Sequence, residues 1–345
     1  MITQNPFARI DHIDIDLSTH TPVSFSDIDI KIIFRVGVLF PTSIVTVPNT
    51  NPDEKYILIS SKDDFINVIG PPNYLDSYMT SVYYLSGKVE ILVYNDVNDV
   101  REQHNIMIFF FPYDGGINYV SDILSYSNVL MDYFVSIFAN VRDISLIDKS
   151  LYNITSSGTR PYPEDFISLF FGGFKYDSGI VWAAAESIYA FAKYFKEWLI
   201  FCGMKYKSSL SYYYFERRMI NILANNNVNF FQAARYLINP VTASGLYITD
   251  EITYNFLIKS IRYIFNMFVG YPNNPTTWMF IRDAFNKLMR SISLNKCFSI
   301  DWAIILDERN NNINLNNIVA EVHITGSTTR KTSFANIIKL NIKTS

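Results

Sequence analysis

The chain has 345 residues, of which 49% are hydrophobic and 16% aromatic, so it is predicted to fold around a sizeable core rather than to remain disordered. Charged residues make up only 18% of the chain, and the formal net charge is −3 without any basic block, which argues against nucleic acid as a partner. The low charge content leads us to expect that the protein covers further surface by self-association.

Residues 1–26 are predicted to form an N-terminal extended arm. Ile13, Ile15 and Leu17 alternate with aspartates, which is the two-residue period of a half-buried strand. The arm is too short to build a core of its own, so this strand must pair with another part of a fold. The polar, acidic N-terminus lacks the apolar run of a signal peptide, and none is expected.

Residues 27–100 are predicted to form an N-terminal α/β unit. Apolar runs and helical spacing indicate strands at 28–40, 55–60 and 89–94, a short helix after 60 or 61, and a helix at 74–86. Ser60 or Ser61 is the expected cap of the short helix, and Asp63 and Asp64 favour it because carboxylates stabilise the positive end of a helix dipole.

Residues 101–245 are predicted to form a central α/β domain, in which helices cover a mostly parallel sheet. Continuous apolar runs predict buried strands at 106–111 and 166–171, and amphipathic spacing predicts helices at 119–138, 180–201 and 211–225. Four charged residues interrupt the helix at 180–201, which favours a core helix over a membrane span.

Residues 246–326 are predicted to form a C-terminal domain, and residues 327–345 a C-terminal arm strand. Thr249, and then Thr276 or Thr277, are the expected N-caps of two long helices. Three strands follow at 298–306, 317–325 and 334–342, and the last lies behind a polar tether. The predicted fold class is therefore mixed α/β with several domains: a central α/β layer, β-rich ends and extended arm strands at both termini.

The sequence carries no pattern of catalytic, metal-binding or cofactor-binding residues, so we expect no such site. The four histidines stand alone and are expected in loops or at the surface: His12, His20, His104 and His323. Cys202 and Cys297 are too few for a disulfide framework and lack the surroundings of a reactive thiol. The segment 326–332 lacks the second glycine of a phosphate-binding loop.

Four segments carry short motifs that are informative in combination. Residues 58–94 hold a strand, a capped helix and an aromatic pair before a glycine turn: Ser61, Asp64, Phe65, Gly70, Val82, Tyr83, Tyr84 and Gly87. Residues 219–237 contain Leu223, Val228 and Asn229. Residues 252–289 hold a helix with basic residues, a Pro-Asn turn and a Thr-Trp helix start: Lys259, Arg262, Pro272, Asn273, Thr277 and Trp278. Residues 305–342 close the chain with strands around an Asn-rich turn.

In their order and spacing these motifs resemble the contractile tail sheath family, which includes the sheaths of myovirus-type phages and of contractile injection systems. The resemblance covers roughly the first 100 and the last 130 residues. The chain departs from the family pattern at two places. It has only Lys259 and Arg262 where a double-Arg helix is expected, and Gly270-Tyr271 replaces an acidic residue before the Pro-Asn turn.

The resemblance implies a structural, non-enzymatic subunit that polymerises as stacked hexameric rings around a tail tube and contracts to drive the tube through the host envelope. The implied partners are other copies of the chain, the tail tube protein, and baseplate and tail terminator proteins, without nucleic acid, membrane insertion or any cofactor. The implied location is the virion tail, assembled in the cytoplasm of the bacterial host.

The resemblance also implies roles for named residues. The terminal strands would add to sheets of neighbouring subunits by β-augmentation, through Ile13, Ile15, Leu17, Phe334, Ile337, Ile338, Leu340 and Ile342. The helix at 277–294 would face the tube through Arg282, Lys287 and Arg290, although a solvated helix face explains these residues equally well.

Three other classes of protein are compatible with the composition. A different virion structural protein, such as a tube or baseplate component, is one, although the α/β centre argues against a tube protein. An α/β hydrolase is another, and the absence of a paired nucleophile and base argues against it. A sugar-binding module should show tryptophans on loops, whereas all four tryptophans lie in predicted helices or strands.

Overall fold

A computed structural model describes residues 9–17, 34–48, 51, 54–112, 119–141, 163–196, 206–214, 220–232, 236–237, 240–294, 298–313, 316–328 and 333–343. Within these ranges the helices are α1 (Lys62–Val68), α2 (Ser77–Ser86), α3 (Tyr119–Leu130), α4 (Ala183–Lys196), α5 (Ile220–Asn225), α6 (Ile248–Asn266) and α7 (Pro275–Leu294). The strands are β1 (Arg9–Leu17), β2 (Arg35–Leu39), β3 (Ile57–Ile59), β4 (Glu90–Tyr94), β5 (Ile106–Phe111), β6 (Ser136–Val141), β7 (Ile167–Phe171), β8 (Gly173–Tyr176), β9 (Gly179–Trp182), β10 (Ser211–Tyr214), β11 (Val228–Asn229), β12 (Phe298–Ile305), β13 (Asn317–Thr328) and β14 (Ser333–Lys343).

Seven strands form one sheet in the order β11-β7-β6-β5-β2-β4-β3, here called the parallel sheet. Every pair in it is parallel except the edge pair of β3 with β4. The predicted central α/β layer and the mixed α/β fold class are thereby confirmed. Strands from both sides of residue 100 share this sheet, and the predicted domain boundaries stay a prediction.

Helices cover both faces of the parallel sheet, which explains why its strands are continuous apolar runs. Along β5, Ile108 and Phe110 point into one hydrophobic core, while Phe109 and Phe111 belong to a second core on the opposite face. The first core includes residues of α2 and α4, and the second includes residues of α3. All six residues of β5 are buried, as expected for a central strand.

The start of α1 follows the sequence prediction. Ser61 is the N-cap, and its hydroxyl oxygen accepts a hydrogen bond from the backbone N–H of Asp64 at 3.0 Å. The carboxylate of Asp64 in turn accepts a bond from the backbone N–H of Ser60 at 3.0 Å. Helix α2 begins later than expected, at Ser77, because the Asp76 side chain caps it by accepting hydrogen bonds from the backbone N–H groups of Tyr78 and Met79.

The predicted helix at 119–138 is too long. Helix α3 ends at Leu130, one 3-10 turn follows, and Phe134 adopts a left-handed backbone conformation with φ of 52°. The chain then enters β6, which pairs with β5 and β7 and is buried throughout. The apolar run fits a helix and a strand equally well, and pairing in the centre of the sheet decides between them.

Two further helix predictions are wrong at their N-terminal ends. The helix expected at 180–201 begins only at Ala183, because the preceding four residues are strand β9. The helix expected at 211–225 is replaced at its start by strand β10, and α5 covers only its last part. Strands β10, β8 and β9 form a small antiparallel sheet, and pairing within it overrides the local helical preference.

Helix α6 packs between the two main sheets of the chain. It contacts α7, as in the edge-to-face pair of Phe265 and Phe285 with ring centres 5.9 Å apart. It also contacts β5 of the parallel sheet and strands β1 and β14 of a four-stranded sheet in the order β1-β14-β13-β12. This four-stranded sheet is called the arm sheet below, because it contains both predicted arm strands, β1 and β14.

Candidate assembly interface

The arm sheet brings the two ends of the chain together. Strands β13 and β14 pair in antiparallel fashion, and β1 pairs in parallel with β14. The register places Ile13 opposite Ile338, Ile15 opposite Leu340 and Leu17 opposite Ile342. The predicted arm strands are confirmed as strands, and within one chain they pair with each other.

One face of the arm sheet is part of the hydrophobic core. The fully buried residues of β13 are Ile318, Ala320, Val322 and Ile324, and those of β14 are Ile338, Leu340 and Ile342. Their two-residue spacing puts them on the same face of the sheet, towards α6 and α7. For Phe334 and Ile337 the structure gives the register: Phe334 lies opposite Arg9 and Gly326, and Ile337 lies opposite His12 and His323.

A charged row crosses the middle of the arm sheet. Lys339 lies between Asp14 on β1 and Glu321 on β13 in the strand register, and its side chain is exposed. The Glu321 carboxylate also contacts Nε2 of His323 on the same strand. Opposite charges in neighbouring register positions stabilise strand pairing, so this row favours the observed alignment of β1 on β14.

Helix α7 separates an apolar face from a polar one. Trp278, Ile281, Phe285, Leu288 and Met289 are buried, at spacings of three and four residues. Of the predicted tube-facing residues, Lys287 and Arg290 are exposed on the opposite face. Arg282 is also exposed, but its guanidinium donates a hydrogen bond of 2.6 Å to the backbone carbonyl of Leu306.

The exposed face of α7 is not purely basic. Met279 and Phe280 are 50% and 41% exposed near the start of the helix, about two turns before Lys287. An open groove of about 440 Å³ runs beside Met279 between the helix and residues 306–309. Its lining residues are Pro275, Trp278, Met279, Arg282, Leu306, Asp307, Glu308 and Arg309. The face therefore offers apolar contact area together with positive charge.

The Pro-Asn turn and the Thr-Trp motif have a structural explanation. Asn274 caps α7 by accepting a hydrogen bond of 2.9 Å from the backbone N–H of Thr277, so neither Thr276 nor Thr277 is the cap. Asn273 accepts a bond of 2.8 Å from the Trp278 indole and donates to the carbonyl of Asn317 at 3.0 Å. The motif thus ties the start of α7 to the start of β13.

The basic residues of α6 also have partners inside the chain. Lys259 is buried, and its side-chain nitrogen Nζ donates a hydrogen bond to the backbone carbonyl of Ile106. Arg262 forms an ion pair with Glu102 at 2.7 Å and donates to the carbonyl of Asp132 at 2.8 Å. The expected cap Thr249 lies inside the helix, which begins at Ile248 without a side-chain cap.

Several asparagines have structural roles that the sequence analysis did not identify. In the turn after β12, Asn311 accepts a hydrogen bond of 2.6 Å from the N–H of Val319 and donates to the carbonyl of that residue at 2.9 Å. In the second motif, Asn229 donates to the carbonyls of Leu169 and Val241. For Asn311 the signal in the sequence is the preference of asparagine for turns, where its amide replaces missing backbone partners. Asn229 is a residue of the second motif, but the motif did not indicate these hydrogen bonds.

Buried polar side chains in the described ranges form hydrogen bonds within the chain. Among the described residues, no group of three or more His, Cys, Asp or Glu side chains is placed to hold a metal ion. His104 is buried, contrary to expectation, and its Nδ1 lies 2.9 Å from the Tyr94 hydroxyl. The motif residue Tyr84 donates a hydrogen bond of 2.5 Å to the buried carboxylate of Glu186. In the described part of the chain no helix is both long and apolar enough to cross a membrane.

Three of the four tryptophans lie in regular elements, as expected: Trp182 in β9, Trp278 in α7 and Trp302 in β12. Trp198 lies outside the described residues. The indole of Trp302 donates to the Asn286 side chain at 3.0 Å, so it links β12 to α7. These positions agree with packing roles rather than with a sugar-binding surface built on loops.

Comparison with known proteins gives matches to structures only. No protein-family model matches the sequence, and no curated protein matches it either. The chain is similar to one in the contracted sheath complex of PVC, an extracellular contractile injection system, with a TM-score of 0.60 and 13% identity over 93% of this chain and 94% of that one.

Two structures of the anti-feeding prophage (AFP) are also similar. A chain of its six-fold symmetrised baseplate gives a TM-score of 0.61 and 10% identity over 89% of this chain and 90% of that one. A chain of its helical sheath in the contracted state gives a TM-score of 0.57 and 11% identity over 93% of this chain and 92% of that one. The chain therefore has a contractile-sheath-type fold, and the resemblance indicated by the sequence motifs is confirmed at the level of the fold.

Proposed function

We propose that this sheath-type chain is the structural subunit of a contractile sheath and has no enzymatic activity. The observation that carries the proposal is the match to sheath structures over about nine tenths of both chains. In this proposal copies of the chain assemble as stacked hexameric rings around a tail tube, and contraction drives the tube through the host envelope. The particle would be a phage tail or a related injection machine, with its sheath assembled in the cytoplasm of the bacterial host.

The arm sheet supplies the connection between copies. Strand β1 lies at the edge of that sheet, and 17 residues, 18–34, separate it from β2. An extended segment of that length spans up to about 55 Å, enough to reach a neighbouring copy. Transfer of β1 to the β14 of a neighbour would preserve every ladder bond, each worth about 0.5–1.5 kcal/mol. We propose that β1, and with it the C-terminal strand β14, joins copies in this way.

Contraction in this proposal is a change of packing between folded cores. The paired arm strands persist while the segments that connect them to the cores change direction. The burial of β13 and β14 against α6 and α7 supports a rigid core that moves as a unit. Only the contacts between copies, and those with the tube, baseplate and tail terminator proteins, would be exchanged.

The experiment that tests the proposal is negative-stain electron microscopy of the purified, untagged protein at high concentration. Long hollow cylinders with helical striations are the expected result. Discrete monomers or dimers in all of several salt concentrations would contradict a self-assembling sheath. Single rings that do not lengthen would favour a second candidate, a baseplate component, which is supported by the match to a chain of the AFP baseplate.

The exposed face of α7 is proposed as the surface that meets the tube. We expect the double substitution Lys287→Glu and Arg290→Glu to weaken binding to the purified tube protein at least tenfold, or about 1.4 kcal/mol, because it reverses two exposed positive charges of α7 whose side chains extend from its polar face. Cosedimentation of cylinders with the tube protein measures the effect.

The matched control for the α7 substitution is Lys175→Glu with Lys193→Glu. Both lysines are exposed, on β8 and α4, and the pair makes the same change in net charge. Equal tube binding by the two double variants would mean that α7 presents an ordinary solvated face. Normal self-assembly of the α7 variant is part of the expected result, because neither residue is buried.

A further inference from the structure

Helix α6 is covered on nearly all sides, which is unusual for a helix that carries several polar residues. It contacts β5 of the parallel sheet and β1 and β14 of the arm sheet. Its buried residues include Asn255, Lys259 and Ser260, in addition to the apolar ones. Helix α6 therefore connects the arm sheet to the parallel sheet, and its polar contacts contribute to this connection.

The polar contacts of α6 lie along one stripe. Asn255, Lys259 and Arg262 are spaced by four and three residues, which places them on the same side of the helix. Asn255 donates a hydrogen bond of 2.9 Å to the hydroxyl of Ser136, the first residue of β6. Lys259 donates to the carbonyl of Ile106, the first residue of β5. The stripe thus fixes α6 to the amino ends of two central strands.

Arg262 is the third residue of this polar stripe. Its guanidinium pairs with Glu102 at 2.7 Å and donates to the carbonyl of Asp132 at 2.8 Å. It also lies over the ring of Phe134, 5.8 Å from the ring centre. These contacts join α6 to the segments that lead into β5 and β6.

We propose that this stripe is a proton-sensitive joint between the parallel sheet and the arm sheet, with Lys259 as the residue whose protonation loosens it. Asn255, Lys259 and Arg262 are positioning residues: they hold α6, and through it the arm sheet, in place. A role of this joint in contraction rests on the proposed sheath function, whereas the joint itself lies within a single chain and can be tested on that chain.

The buried position of Lys259 explains the sensitivity to protons. Burial lowers the pKa of Lys259, the Glu102 carboxylate opposes this change and the nearby charge of Arg262 adds to it, so that the pKa falls from 10.5 to about 7. The segments that Arg262 contacts, 102–104 and 131–133, also carry His104, Asp132 and Tyr133. Strand β5 carries no charged residue, and Arg35 on β2, the register partner of Ile106, forms an ion pair with Glu90 at 2.8 Å.

The sign of the effect follows from the two pKa values. Between about pH 7 and pH 10.5, Lys259 is neutral while α6 is docked on the parallel sheet and protonated when α6 is detached from it. Docking of α6 in this pH range therefore releases a proton. Docking of α6 is therefore favoured by rising pH, by up to about tenfold per pH unit. Below about pH 7 Lys259 is protonated in both states, so the docking equilibrium no longer depends on pH.

Hydrogen–deuterium exchange of the full chain tests the joint. The opening equilibrium of the α6 amides, corrected for intrinsic exchange rates, is measured from pH 6.5 to 9.5. We expect opening in the wild type to fall as pH rises above about 7, and Lys259→Met to remove this slope, because methionine fills the same space without titrating. Lys287→Met, which changes an exposed lysine on α7, should keep the wild-type slope.

An equal slope in the wild type and in Lys259→Met would overturn the proposal. If Lys259→Met does not fold, Glu102→Gln carries the test: removal of the opposing carboxylate should shift the pH range of the slope to lower values, and an unchanged range would also refute the joint. Electron microscopy separates this result from the proposed function. A pH slope of α6 opening in a protein that forms no cylinders would support the joint and contradict the proposed sheath function. Cylinders in a protein without this pH slope would support the sheath function and contradict the joint.

Discussion

Deletion of residues 1–17 is expected to abolish assembly into cylinders while the rest of the chain remains folded. Strand β1 lies at the edge of the arm sheet, and its removal leaves β14, β13 and β12 packed on the core. Three strands with a buried face are sufficient for a stable sheet. If the deletion removes more than about 1.4 kcal/mol from each contact between copies, the association constant of the copies falls at least tenfold. Sedimentation velocity and electron microscopy measure the assembled fraction, and circular dichroism measures the fold.

Assembly of the truncated chain to the same extent as the wild type would contradict a role for β1 between copies. A control of nearly unchanged side-chain shape is Asp14→Asn with Asp16→Asn, which removes two charges but keeps the strand and its register positions. This variant should still form cylinders, because main-chain bonds and apolar residues carry most of the pairing free energy. A folded truncated chain that stays monomeric is the result that supports the proposal.

A disulfide experiment distinguishes exchange between copies from pairing within one chain. One chain carries Asp14→Cys and another carries Lys339→Cys, both with Cys202 and Cys297 replaced by serine. These positions are register partners on adjacent parallel strands, about 4.8 Å apart, which is within disulfide reach. Mixed assembly under oxidising conditions should give a disulfide-linked pair of the two different chains.

The control for the disulfide experiment is Asp14→Cys mixed with Lys343→Cys. Lys343 lies four residues further along β14, about 13 Å away, which is too far for a disulfide. Crosslinking of both mixtures to the same extent would indicate random collision. Absence of crosslinks in cylinders that do form would place β1 within its own chain.

The substitution Leu340→Asp is expected to destabilise the protein by more than about 4 kcal/mol. Leu340 is fully buried on β14, where the register sets it between Ile15 and Ala320. The change removes about 1.5–3 kcal/mol of apolar burial and adds the larger cost of a carboxylate in apolar surroundings. That is a large share of the 5–15 kcal/mol by which domains are typically stable. Denaturant unfolding measures the free energy change.

The neighbouring residue of the same strand gives a matched control. Lys339 is exposed, and Lys339→Gln should change the free energy of unfolding by less than about 0.5 kcal/mol. If the two variants were equally stable, β14 would not bury the face that contains Leu340. We expect Leu340→Asp also to prevent cylinder formation, because the arm sheet would lose its support on α6.

The local pattern of the sequence was sufficient for many elements. The apolar run of β5, the cap and acidic first turn of α1, and the Ile-Asp alternation of β1 each predicted the observed element. Strand β2 was predicted at 28–40, and the structure describes it at Arg35–Leu39, with 28–33 outside the described residues. These signals are readable because they depend on neighbours a few residues away.

Strands β6, β9 and β10 were predicted as helix. Each lies in an apolar or aromatic stretch without a proline to mark the change of conformation, and each acquires its conformation from strands elsewhere in the chain. For β6 these are β5 and β7, and for β9 and β10 the shared partner is β8. Such pairing is a long-range interaction, so local periodicity does not reveal it.

The sequence by itself determined that this protein is a mixed α/β chain with strand-forming ends and sheath-like motifs. The tertiary structure alone decided that both end strands meet in one sheet, that β1 runs parallel to β14, and that Lys259 is buried between two sheets. The reason is physical: periodicity shows which face of an element is apolar, but burial on the other face depends on contacts between distant parts of the chain.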